Sequence, residues 1–131
     1  MVKFTYAHLH FRSETPEVTA KFYCDNFGAV VKSKISDSGT VHFLLELEGA
    51  PLMAVSGCAD GETPVPGSTE PRYGLDHIGF EVDDMDSVVT KLKANGVHFI
   101  LEPRLVPSGS KIAFVEAPDK TSIEITQNPS N

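Results

Sequence analysis

Two histidines occupy matching positions in a repeated stretch. The first lies in His8-Leu-His-Phe-Arg-Ser13 and the second in His77-Ile-Gly-Phe-Glu-Val82, about half of the 131-residue chain apart. Each stretch leads into a helix-like segment closed by a glycine, Gly28 in one half and Gly96 in the other. Each half ends on a short run, Leu52-Met-Ala-Val55 and Ser122-Ile-Glu-Ile125. A duplication that repeats a histidine in register is a reason to expect a metal between the halves. Glu124 is the third candidate donor. Alternation puts it with Ser122 and Thr126 on the side opposite Ile123 and Ile125. Two imidazoles and one carboxylate suit a divalent first-row metal, Zn, Ni, Co, Mn or Fe. Three protein donors leave positions open for water or substrate, as catalytic metal centres do.

Other polar residues have plainer readings beside the chemical ones. A lone strand histidine is more often a hydrogen-bonded surface or core residue, and a lone glutamate on a terminal strand is usually solvated. The shared register of His8 and His77, with Glu124 on the corresponding polar side, separates these three from that background. His10 shares the face of His8 and could be a fourth ligand or a proton carrier, or a residue that only lines the pocket. His42 and His98 have no counterpart in the other half and read as surface residues. Arg12, Arg104 and Lys111 could bind a substrate anion, or stand as solvated charges with Glu81 as a partner for Arg12. Cys24 and Cys58 have no motif partner. Cys24 reads as core filler in a helix.

The elements that must position these residues are legible from periodicity. Residues 4–12 alternate, with Tyr6, His8, His10 and Arg12 opposite Ala7, Leu9 and Phe11, which predicts a half-buried strand. Thr15-Pro16 predicts a helix start, Val18, Phe22 and Phe27 its buried stripe, and Gly28 its stop. Strands follow over 29–35, 41–48 and 52–56, with Asp37-Ser38-Gly39 as a turn. The second half repeats the order: a strand over 75–82, a helix capped by Asp84 with Val88, Val89 and Leu92 as its stripe and Gly96 at its end, then strands over 97–101, 111–117 and 121–127. Pro118-Asp119-Lys120 forms the last turn, and residues 128–131 a polar tail. Each half is therefore β-α-β-β-β. The modules are 4–57 and 74–127, with a Gly- and Pro-rich linker over 58–73 that could cover a site. The apolar strand faces should meet the helices, leaving His8, His77 and Glu124 on a shared polar surface.

Composition excludes several classes. The net charge of −7 argues against nucleic acid, which needs a basic patch. No run approaches the ~20 apolar residues of a membrane span, and the first residues have no signal-peptide core. Two cysteines are too few for a disulfide framework, so a reduced, cytoplasmic protein is expected.

The runs His8–Tyr23, Gly74–Asp84 and Lys111–Asp119, followed by Ile123-Glu-Ile125, resemble the vicinal oxygen chelate superfamily of glyoxalases, bleomycin-resistance proteins and extradiol dioxygenases. The resemblance covers roughly residues 5–127. It implies an α+β fold of two tandem βαβββ modules forming a curved mixed sheet with helices on the outer face. It also implies a divalent metal on the first and fourth strands of the modules. His8, His77 and Glu124 match those positions. Ala54 stands where glyoxalase I-like members carry a glutamate, so Glu124 or His10 would have to move the proton. The implied activity is that of a metal-dependent glyoxalase I-like lyase or isomerase, acting on a small substrate that chelates the metal through vicinal oxygens. The alternatives are an Fe(II) extradiol-type dioxygenase and a bleomycin-resistance-like binding protein. Related folds pair as dimers, so a homodimer is expected.

Overall fold

A computed structural model describes residues 2–37 and 39–130. The chain divides into two compact units, Met1–Val65 and Pro66–Asn131. The first contains strand β1 (His8–Arg12), helix α1 (Pro16–Phe27) and strands β2 (Val30–Asp37), β3 (Thr40–Glu46) and β4 (Leu52–Ser56). The second contains β5 (Ile78–Glu81), α2 (Met85–Ala94), β6 (Phe99–Leu105), β7 (Lys111–Ala117) and β8 (Thr121–Gln127). The fold is α+β, two βαβββ units in tandem. Each has its own four-stranded mixed sheet, ordered β1-β4-β3-β2 in one and β5-β8-β7-β6 in the other.

In each unit the first strand runs parallel to the fourth, and the remaining pairs are antiparallel. The helix makes this possible, because a parallel neighbour needs a crossover rather than a hairpin. Pro16 starts α1, where a missing N–H costs nothing, and Gly28 ends it with φ 73°. The N–H of Ala29 returns to the Tyr23 carbonyl at 3.1 Å. Asp84 caps α2 by accepting from the Ser87 N–H at 3.1 Å and the Ser87 hydroxyl at 2.6 Å. These bonds to the carboxylate hold its pKa below the ordinary aspartate value. Met85 N–H donates to Gln127 Oε1 at 2.6 Å, tying the helix start to the end of β8.

The core of the first unit comprises Ala20, Tyr23, Phe43, Leu45, Met53 and Val55. In the second it comprises Met85, Leu92, Ala113, Val115, Ile123 and Ile125. The buried face of α1 is turned from the expected one. Thr19, Ala20 and Tyr23 are buried, whereas Val18 is exposed. Tyr23 decides this, since its ring packs against Phe11, Phe22 and Phe27 with centroids 5.8, 5.4 and 6.0 Å away. In α2 Leu92 is buried as expected, together with Met85, while Val88 and Val89 are only half-buried.

Several strand limits differ from the sequence expectation. β5 begins at Ile78, because its ladder with β8 runs only from Ile78 opposite Ile123 to Glu81 opposite Thr126. β6 continues past Leu101 through Pro103, which an edge strand tolerates, with a register shift between Leu101 and Arg104. β2 extends to Asp37 as the other unit's edge strand, and β3 stops at Glu46. Of the expected turn at 37–39, Ser38 lies outside the described residues, as does Asn131 of the polar tail. The turn at Pro118–Lys120 holds two non-glycine residues at positive φ, Asp119 at 59° and Lys120 at 58°. Three residues thus separate the paired Ala117 and Thr121, and positive φ at two of them reverses the chain.

Gly67 lies against this turn, and a Cβ there would sit 2.1 Å from the Asp119 carbonyl oxygen. Gly67→Ala is therefore expected to lower the melting temperature by thermal denaturation. Lys120→Gly should raise it by relieving the left-handed strain. An unchanged melting temperature for Gly67→Ala would show that the 66–73 segment does not rest on this turn.

Candidate metal and proton-transfer site

The parallel pairing of β5 and β8 places Gly79 opposite Glu124. His77 precedes β5 and lies two residues before Gly79, so its side chain emerges on the same side as Glu124. His77 Nε2 stands 3.2 Å from Glu124 Oε2, with the two side chains 33% and 24% exposed. His77 Nδ1 lies 2.7 Å from Asp76 Oδ2. The Phe114 ring meets the imidazole edge-on, its centroid 5.0 Å away. Phe114 is the cross-strand neighbour of Glu124, which sets this apolar wall beside the pair.

The chemistry of this donor set fits a divalent cation. When Nδ1–H donates to Asp76, the Nε2 lone pair faces the Glu124 carboxylate. Two electron-rich atoms at that separation need a proton or a cation between them. Adjacent donors on a metal, each ~2.1 Å from it, lie roughly 3 Å apart. A carboxylate behind the far ring nitrogen fixes the orientation of an imidazole.

In the first unit, β1 pairs with β4 so that His8 lies opposite Leu52 and His10 opposite Ala54. The two units correspond position by position. Ala54 stands opposite the residue two after His8, as Glu124 stands opposite the residue two after His77. His8 is exposed on its unit. The structure thus brings together His77 and Glu124 among the expected ligands. Among the described residues, no group of three or more His, Cys, Asp or Glu side chains is assembled as a metal would require.

Sequence reasoning missed three features. Asp76 is the first, though a carboxylate beside a candidate ligand histidine was a visible signal. The second is the pairing of His10 Nε2 with Ser56 Oγ at 2.6 Å. Ser56 is buried and held at the end of β4, where its carbonyl accepts from Ser13 N–H at 2.8 Å. The third is His42, which is half-buried opposite Ser56 on β3 rather than a surface residue. Partial burial first, then the charges of Arg12, His42 and His8, hold the His10 pKa below its ordinary value. Arg12 is paired with Glu62 at 2.6 Å, not with Glu81, which accepts from Asn128. Arg104 and Lys111 are exposed on β6 and β7, and His98 is exposed as expected. Cys24 is half-buried in α1, and its burial raises the thiol pKa.

The chain belongs to the Glyoxalase/Bleomycin resistance protein/Dioxygenase superfamily, whose family model matches residues 5–125. Members of that superfamily bind small-molecule substrates and typically use a divalent metal. Comparison with curated proteins finds no match. Among solved structures, a glyoxalase family protein from Bacillus cereus superposes with a TM-score of 0.84 at 14% identity, covering 99% of each chain. A glyoxalase family protein from Enterococcus faecalis gives 0.76 at 22% identity, covering 93% of this chain and 96% of that one. The trypanothione-dependent glyoxalase I of Leishmania major gives 0.73 at 20% identity, covering 95% and 87%. These likenesses establish the fold. Among the described residues, no helix is long and apolar enough to cross a membrane.

The lowered pKa of His10 has a defined consequence for stability. The folded state binds fewer protons at this ring than the unfolded state does. The contribution is therefore fully present above the ordinary value of 6.5 and is lost as pH falls through the lowered one. Unfolding measured from pH 7.5 down to 5 should show a loss of stability that His10→Asn reduces. An identical pH dependence in the variant would contradict this assignment.

Proposed function

We propose that the chain is a metal-dependent lyase or isomerase of the glyoxalase I kind, acting on a small substrate that presents two vicinal oxygens. The observation that carries this reading is the His77–Glu124 pair, 3.2 Å apart with Asp76 braced behind the imidazole. His77 and Glu124 supply two ligands and His8 the third. A divalent metal bound there supplies Lewis-acid polarisation of the substrate oxygens. Asp76 keeps the His77 ring oriented. Glu124 carries a proton to or from the carbon beside the carbonyl, a task that needs a carboxylate within hydrogen-bond reach.

His10 is the second proton carrier in this proposal. Its pKa favours the neutral ring, and Nε2, now shared with Ser56 Oγ, is the atom that would take the proton. Ala54 leaves the first unit without the carboxylate that its counterpart strand carries, so proton movement falls to Glu124 and His10. The protein acts as a homodimer in the cytoplasm, and His8 comes from the first unit of the same copy or of the second.

Metal content of protein purified without chelator tests the reading. Zn, Ni or Co supports the lyase, oxygen-sensitive Fe supports a dioxygenase, and ligand uptake indifferent to EDTA supports a binding protein. His77→Ala is expected to abolish both metal binding and turnover, and full activity in that variant would reject the proposal. Asp76→Asn should weaken metal affinity about 10- to 100-fold in a chelator competition. Mixing His8→Ala with His77→Ala protein should restore activity if the site is shared between copies.

A further inference from the structure

Glu124 sits in a row of residues that crosses the second sheet. Gly79 is its partner on β5 and Phe114 its partner on β7. The two flanks of the carboxylate therefore differ: one carries an aromatic ring, and the other carries no side chain. β5 is an edge of its sheet, so the bare flank is also the outer one. In the first unit the corresponding parallel pair is reversed. His10 stands where Gly79 does, and Ala54 where Glu124 does.

Gly79 answers no local need for glycine. Its φ lies outside the left-handed region, so the backbone would accept another residue. Its neighbours do not press on it either. Among the described residues, a Cβ built at Gly79 would meet no atom within 4 Å. Glu124 would therefore keep its place beside His77 if Gly79 carried a methyl group. Glycine inside a strand costs conformational entropy and packs nothing. What it leaves here is an exposed floor of bare backbone beside the Glu124 carboxylate. The rise of an extended chain puts this floor about 7 Å along from His77 on the same side. A flat group can approach such a floor more closely than it can approach any side chain.

We propose that Gly79 determines substrate specificity: the substrate's reacting carbon and its two adjacent oxygens lie flat on the Gly79 backbone, against the His77–Glu124 pair. The inference rests on the metal-dependent reading above and narrows its substrate class. It selects compounds whose vicinal-dioxygen group is planar on the side that faces the protein. A substituent projecting from that side would meet the backbone of β5. Loss of the carbon's proton to Glu124, with the bonding pair moving to the carbonyl oxygen, flattens the carbon and improves its fit to the floor.

The test uses the full chain loaded with zinc and acetohydroxamate, a planar chelator through two oxygens, as the probe. Probe binding is measured by calorimetry for the wild type, Gly79→Ala and Gly79→Val. Affinity should fall in step with side-chain size, about threefold for alanine and about tenfold or more for valine. Zinc affinity in a chelator competition should stay within about twofold of the wild type, because the ligands are untouched. Gly79→Ala should melt no lower than the wild type, since its methyl group enters open space. Probe affinity unchanged in Gly79→Val would overturn the inference. So would a loss of zinc in Gly79→Ala, or a change of oligomeric mass in Gly79→Val, which would make the floor a contact between copies. Wild-type protein that takes up no zinc would instead reject the metal reading itself, and this inference with it.

Discussion

The parallel pairing of the first strand with the fourth, made once in each unit, is the constraint on which the chemistry depends. In the second unit it sets Gly79 against Glu124 and thereby brings His77 within 3.2 Å of that carboxylate. In the first it sets His10 against Ala54 and brings its ring to Ser56 at 2.6 Å. A slip of one residue in either ladder would turn these side chains to the opposite face, among the core residues. The register is protected because that opposite face is apolar and buried, with Ile123 and Ile125 in one unit and Met53 and Val55 in the other.

The two units have diverged on this common frame. The second has an imidazole and a carboxylate in contact, a further carboxylate behind the ring and an aromatic wall beside it. The first has alanine where the carboxylate would be. Its polar groups form a different set: a histidine on a buried serine, a second histidine beside it, and an arginine closed by Glu62. Among the described residues, the second unit carries two carboxylates on its imidazole, and the first carries none on its own.

Much of the architecture was legible in the sequence because its signals were local. β7 and β8 show clean alternation bounded by Pro118-Asp119, and both have the limits that alternation predicts. Pro16 and the Asp84 carboxylate mark the helix starts through strictly local chemistry, while Thr15 makes no side-chain cap. What escaped depended on tertiary packing. The helix stripe of α1 turned because Tyr23 found other aromatic rings. β6 ran through Pro103 because it is an edge, which no local pattern announces. Alternation put Glu124 on the polar face of its strand, but its contact with His77 required knowing that β5 and β8 are neighbours. The link from His10 to Ser56 required knowing that β1 and β4 are neighbours and in which register.

Anomalous diffraction from crystals grown with zinc tests the central claim most directly. The account predicts a peak bonded at about 2 Å to both His77 Nε2 and Glu124, with Asp76 still on the far nitrogen. A peak that avoids this pair, or crystals saturated with zinc that show none there, would contradict it.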